Sequence, residues 1–130
     1  MRLSSRIFAQ LYILPAMHEH ALSYAVSDGS KAGVSILTLN GPFILGNMFE
    51  VQQVIRTLAP ERLIIDLSGV PYMDSAGLGV LMNAFVSAQT HGRRLILTGV
   101  SQRIRALLEM TKVDTLLKIC DSIEQAEALA

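Results

Sequence analysis

Cysteine is nearly absent: the chain has one, Cys120, so no disulfide can form within it. It sits in the apolar run LLKIC and reads as a small buried residue in a reducing compartment. Net charge is absent too, with eleven basic and eleven acidic residues in 130. A nucleic-acid binder usually carries a basic excess or stripe, and none is visible. The one local basic cluster, Arg93-Arg94 with Arg103 and Arg105, is interrupted by apolar residues. No apolar run is long enough to span a bilayer. Metal-ligand spacing is missing apart from His18-x-His20, which reads as solvated.

What is present points to a packed domain. Hydrophobic residues make up 51% and charged residues 17%, which excludes disorder. A chain of 130 residues suits one domain with its own core. Residues 1–20 stand apart, with Arg2 and Arg6, no acid before Glu19 and a semi-apolar middle. A signal peptide fits poorly, because Gln10 and Tyr12 dilute the apolar region and no small-x-small cleavage site follows. An amphipathic helix would align Leu3, Ile7, Leu11 and Leu14. The favoured reading is an N-terminal extension, with Met17 as a possible start and the domain beginning near Ala21.

From there strands and helices alternate. Ala21–Ser27 reads as an edge strand and Val34–Leu39 as a strand buried largely on both faces, joined as a hairpin through Asp28–Gly33. Leu45, Met48, Val51 or Gln52, Ile55 and Leu58 recur at helical spacing until Pro60. Leu63–Leu67, Leu95–Thr98 and Leu116–Cys120 are short buried strands. Ser75 opens a helix that ends at His91-Gly92. Ser101 caps another through Met110, with Arg103 and Arg105 outward and Ile104, Leu107 and Leu108 inward. Asp121 or Ser122 caps a last one. The order β-β-α-β-α-β-α-β-α predicts an α/β fold with a mixed, mainly parallel sheet. Functional groups in such sheets gather at the carboxyl ends of strands. Two junctions lie there, Asn40–Ile44 and Val70–Gly77.

The second junction contains PYMDSAGLGVLMNAF, Pro71 to Phe85. Ser75 is placed there to be a nucleophile, a phosphate-binding group, a phosphate acceptor or a helix cap worth about 1 kcal/mol. Catalysis is disfavoured. The nucleophile-elbow position two before Ser75 holds Met73 instead of Gly. His91 lies about 15 residues away, ~20 Å along a helix, and cannot act as base. The glycines Gly77 and Gly79 lack the third member of a dinucleotide fingerprint. Each is a poor choice for helix stability, so something approaches the backbone closely: a neighbouring strand or a partner. Capping by Ser75 survives, and with it an acceptor or docking role. A phosphate at a helix start need not unfold the helix, yet it adds about −1.5 to −2 charges beside Asp74.

These residues resemble the central motif of STAS domains, above all the bacterial anti-sigma-factor antagonists. The matches are Asp66, Leu67, Ser68, Val70, Met73, Asp74, Ser75, Gly77, Leu78 and Gly79, and the Leu107–Asp114 run also resembles the family. The resemblance covers about residues 21–130. It implies a STAS-type sheet with about four helices and a protein that is not an enzyme and needs no cofactor or metal. It implies a cytoplasmic protein, monomeric when free, that binds an anti-sigma factor kinase and so frees a sigma factor for transcription. Phosphorylation at Ser75 would end that binding, and a phosphatase would reset it. Asp74, Gly77, Gly79, Asn40, Gly41, Pro42, Phe43 and Ile44 would form the partner surface. The alternative is a constitutive scaffold, in a stressosome-like assembly or a lipid-transporter complex. Two departures stand out. The family's acidic G-[ED]-[LI]-D stretch is Gly41-Pro42-Phe43-Ile44 here, which predicts Phe43 and Ile44 exposed beside Ser75. Ala76 replaces a second Ser common in the family.

Overall fold

The structure is a computed structural model, and residues 21–130 are described. The readings made for residues 1–20, including His18-x-His20, lie outside the described residues. The strands are β1 (Ser23–Asp28), β2 (Val34–Asn40), β3 (Arg62–Gly69), β4 (Arg94–Thr98) and β5 (Lys118–Cys120). The helices are α1 (Met48–Leu58), α2 (Ser75–Thr90), α3 (Gln102–Met110) and α4 (Ile123–Leu129). The strands lie in the sheet in chain order. β1 is the antiparallel edge, and β2 to β5 run parallel. The architecture expected from the alternation is therefore present.

Period-2 alternation divides the strands between two apolar layers. Ile36, Ile64 and Ile96 stand in register across β2, β3 and β4 and pack with Cys120 and Ala126, beneath α4. The next row, Leu37, Ile65 and Leu97, faces the larger core, which takes in Val51 of α1, Leu81 of α2 and Ile104 and Leu108 of α3. Both faces are covered, as the near-continuous apolar strands require.

The helix ends follow local chemistry. Ser101 and Ser122 accept from the amides three residues on, at 3.1 Å each. α2 ends through Gly92 at φ +68°. α1 stops at Ala59, a left-handed residue before Pro60. Two boundaries differ from expectation. α1 starts at Met48, so Leu45 is not its first inward residue but a turn residue that is 59% exposed. β5 begins at Lys118, leaving Leu116 exposed. Leu45 and Leu116 lie in irregular backbone, where spacing no longer reports a face.

Candidate functional site

At the carboxyl end of the sheet the ladder between β2 and β3 shifts register, with Thr38 opposite Asp66 but Asn40 opposite Gly69. The two chains then part into loops that remain hydrogen-bonded. Gly41 N–H donates to Gly69 at 2.9 Å, and Phe43 N–H to Tyr72 at 3.1 Å. Asp74 N–H donates back to the Phe43 carbonyl at 3.3 Å. Phe43 and Met73 form an isolated parallel bridge, so pairing resumes beyond the strands. Asn47 braces the first loop, donating to the Pro42 carbonyl at 2.9 Å and accepting from Ile44 N–H at 3.0 Å.

The cap of α2 is Asp74, not Ser75. One carboxylate oxygen of Asp74 accepts from Ala76 and Gly77 N–H at 2.9 and 3.0 Å. The other accepts from Leu45 N–H at 3.0 Å. A single carboxylate thus caps the helix and ties both loops together. Burial raises its pKa, but the amides of Gly77, Leu45, Ala76 and Asp74 itself outweigh that, and the carboxyl is held below its ordinary value. Ser75 is the first helical residue and is exposed. No hydrogen bond engages its hydroxyl among the described residues. A phosphate on it would find the Ala76 and Gly77 amides already taken, and would add its charge beside an ionised Asp74.

The expected partner residues separate on this edge. Asn40 is exposed, and Gly41, Ile44, Asp74 and Gly79 are partly so. Pro42, Phe43 and Gly77 are buried. Phe43 is fully buried in the larger core, which corrects the expectation of exposure beside Ser75. Gly77 accounts for this arrangement. A Cβ there would overlap the Phe43 carbonyl oxygen and lie 3.1 Å from its carbon and ring Cδ2. At Gly77 the close approach inferred from the sequence is thus made by the preceding loop. Gly79 differs, because a Cβ there meets nothing within 4 Å.

The exposed apolar groups on this side are Leu45, which its spacing predicts to face inward, and Phe49, which the spacing leaves out. Leu45 is bonded to Asp74, and Phe49, one turn further, is 63% exposed. Phe49 falls off the Met48, Val51, Ile55 and Leu58 stripe, and that displacement was the available signal. Tyr72 brings in a cation, since Arg103 of α3 sits 4.8 Å from its ring centroid. His91 is at the other end of α2, with its Nδ1 2.9 Å from the Ser87 carbonyl. Among the described residues no histidine stands beside Ser75.

Residues 28–126 match the model of the STAS domain. An anti-sigma-B factor antagonist of Listeria monocytogenes is 44% identical over 57 residues, 44% of this chain and 50% of that protein. The chain thus spans about half the length of that curated relative. The crystal structure of an anti-sigma factor antagonist from Mycobacterium paratuberculosis superposes with TM-score 0.76 at 20% identity, covering 85% of this chain and 94% of that one. That of a sulfate transporter family protein from Wolinella succinogenes gives 0.64 at 28% identity, covering 76% and 85%.

Proposed function

This chain belongs to the STAS domain family, and from that premise we propose that it is an anti-sigma-factor antagonist switched by phosphorylation at Ser75. It acts by binding, not by catalysis. Its partner is an anti-sigma factor with serine-kinase activity, which it captures through the loops and helix start around Ser75. A phosphatase restores the unmodified state. Among the described residues no helix is long and apolar enough to cross a membrane.

One observation carries this reading: Ser75 is exposed at the start of α2 while Asp74 does the capping. A kinase can therefore modify the hydroxyl without removing a bond that holds the fold. The added −1.5 to −2 or so of charge stands beside an existing carboxylate, so the surface changes while the scaffold persists. The matched Listeria relative, by its name, antagonises an anti-sigma factor. Leu45 and Phe49 give the docking surface an apolar part beside Pro42 and Ile44, which stand where the family pattern is acidic, and the partner must match it.

The test uses the cognate anti-sigma factor with ATP. Wild type takes up phosphate and Ser75→Ala does not. Ser75→Asp weakens capture by at least about tenfold. Equal uptake by Ser75→Ala refutes the site. The second reading, a constitutive scaffold or transporter-associated module, is favoured by the likeness to the Wolinella protein. It predicts that Ser75→Asp leaves partner affinity unchanged.

A further inference from the structure

A cavity of about 310 Å³ lies between the C-terminal halves of α1 and α2, at the end of the sheet opposite Ser75. Leu63, Val80, Ala84 and Leu95 line it and are buried, so its floor is apolar. Arg56 and Arg93 stand at its more exposed margin. No Asp or Glu lines it. Both members of the basic pair noted in the sequence, Arg93-Arg94, line the cavity, but the Arg94 guanidinium is engaged, donating to the Leu129 carbonyl at 2.8 Å on the α4 side. Glu61, the nearest acid in sequence, has its carboxylate beside Gly33 of the hairpin.

Arg56 and Arg93 have no carboxylate partner among the described residues. Backbone amides, not these guanidinium groups, take up several of the helix-end carbonyls. Ala59 N–H donates to the Ile55 carbonyl at 3.1 Å, His91 N–H to Ser87 at 3.1 Å and Arg93 N–H to Ala88 at 2.7 Å. The two helix C-termini present roughly half a negative charge each, so two guanidinium groups leave a net positive margin of about one charge. Guanidinium groups bind carboxylate or phosphate through paired N–H donors.

We propose that this cavity binds a small amphiphilic anion, with a carboxylate or phosphate head at Arg56 and Arg93 and a short apolar body over Val80 and Ala84. The volume is at the low end of ligand pockets, about 300–1,000 Å³, so the ligand is small. The site is independent of the partner surface around Ser75.

The experiment is an amide NMR titration of the full chain with octanoate, octyl phosphate, octanol and inorganic phosphate, all kept below micelle-forming concentrations. At least one of the two anionic amphiphiles is expected to shift Arg56, Ala84, Ser87 and Arg93 saturably. The stronger of the two identifies the head group. Octanol and inorganic phosphate should bind at least about tenfold more weakly. Arg56→Gln with Arg93→Gln should weaken the amphiphile by about tenfold or more, with an unchanged melting curve. Should that pair unfold, Arg56→Gln alone, on an exposed helix face, serves in its place and should weaken binding severalfold. Absence of saturation by both anions overturns the proposal. So does octanol or phosphate binding as tightly as the amphiphiles, or an arginine variant binding like wild type.

Discussion

Gly77 and Gly79 are two residues apart on one helix, yet alanine should act on them in opposite directions. At Gly79 the new methyl meets nothing within 4 Å, so the change is one of helix propensity. It should stabilise the fold by about 0.5–1 kcal/mol. At Gly77 the same propensity gain is available, but the methyl overlaps the Phe43 carbonyl oxygen. The oxygen belongs to rigid backbone and accepts from Asp74 N–H, so the loop must move as a unit. Overpacking of this kind costs about 1–3 kcal/mol. Moving the loop also strains the Leu45–Asp74 and Phe43–Tyr72 bonds, each worth about 0.5–1.5 kcal/mol. Gly77→Ala should therefore be net destabilising by about 1–3 kcal/mol. The two variants should differ by about 1.5–4 kcal/mol, or roughly 6–16 °C in Tm at about 4 °C per kcal/mol. Urea unfolding followed by far-UV circular dichroism measures this directly. If Gly77→Ala proves as stable as Gly79→Ala, the close packing of the Phe43 loop on α2 is refuted. The same pair separates fold from function: Gly79→Ala, although more stable, should weaken capture of the anti-sigma factor, because its methyl stands on the open side of the helix.

Two further predictions concern the same edge. Phe43→Ala should remove about 3–5 kcal/mol, a large fraction of a typical domain's roughly 5–15 kcal/mol, whereas Phe49→Ala should change it by no more than about 0.5 kcal/mol and instead lower partner affinity. Thermal melts of the two variants, with a pull-down for Phe49→Ala, check this, and equal stability losses would contradict the burial assigned to each. Asp74→Asn should cost about 1 kcal/mol at neutral pH, because its amide nitrogen cannot accept from Leu45 N–H. The Asp74 carboxyl titrates below its unfolded value of about 3.9. Its contribution is therefore present above about pH 4 and lost as pH falls through the folded pKa, so the stability gap between wild type and Asp74→Asn should narrow only in acid.

Most of the element order was legible because it rests on local rules. Alternating apolar residues predict β2, and Ile36, Ile64 and Ile96 fall into one layer because the strands pair in register. Ser101 and Ser122 are caps by residue type, and Pro60 and Gly92 end helices by backbone geometry. The Met73-Asp74-Ser75 motif with its two glycines marked the candidate site, and its spacing from His91 argued against catalysis. Those inferences need only neighbours in the chain.

What the tertiary structure decided were choices between equivalent local options. Asp74 and Ser75 are both good caps, and nothing within α2 ranks them. The Leu45 amide, brought in from another loop, does, because only a carboxylate has a second oxygen to accept it while the first holds Ala76 and Gly77. That leaves the Ser75 hydroxyl free. Phe43 and Phe49 are equally apolar, but the absent side chain at Gly77 lets α2 close over the first, while α1 turns the second outward. Arg56 and Arg93 share a cavity although 37 positions separate them in the chain. Sequence alone determined which groups were available at this edge, and packing between distant segments decided which were consumed by the fold and which were left exposed.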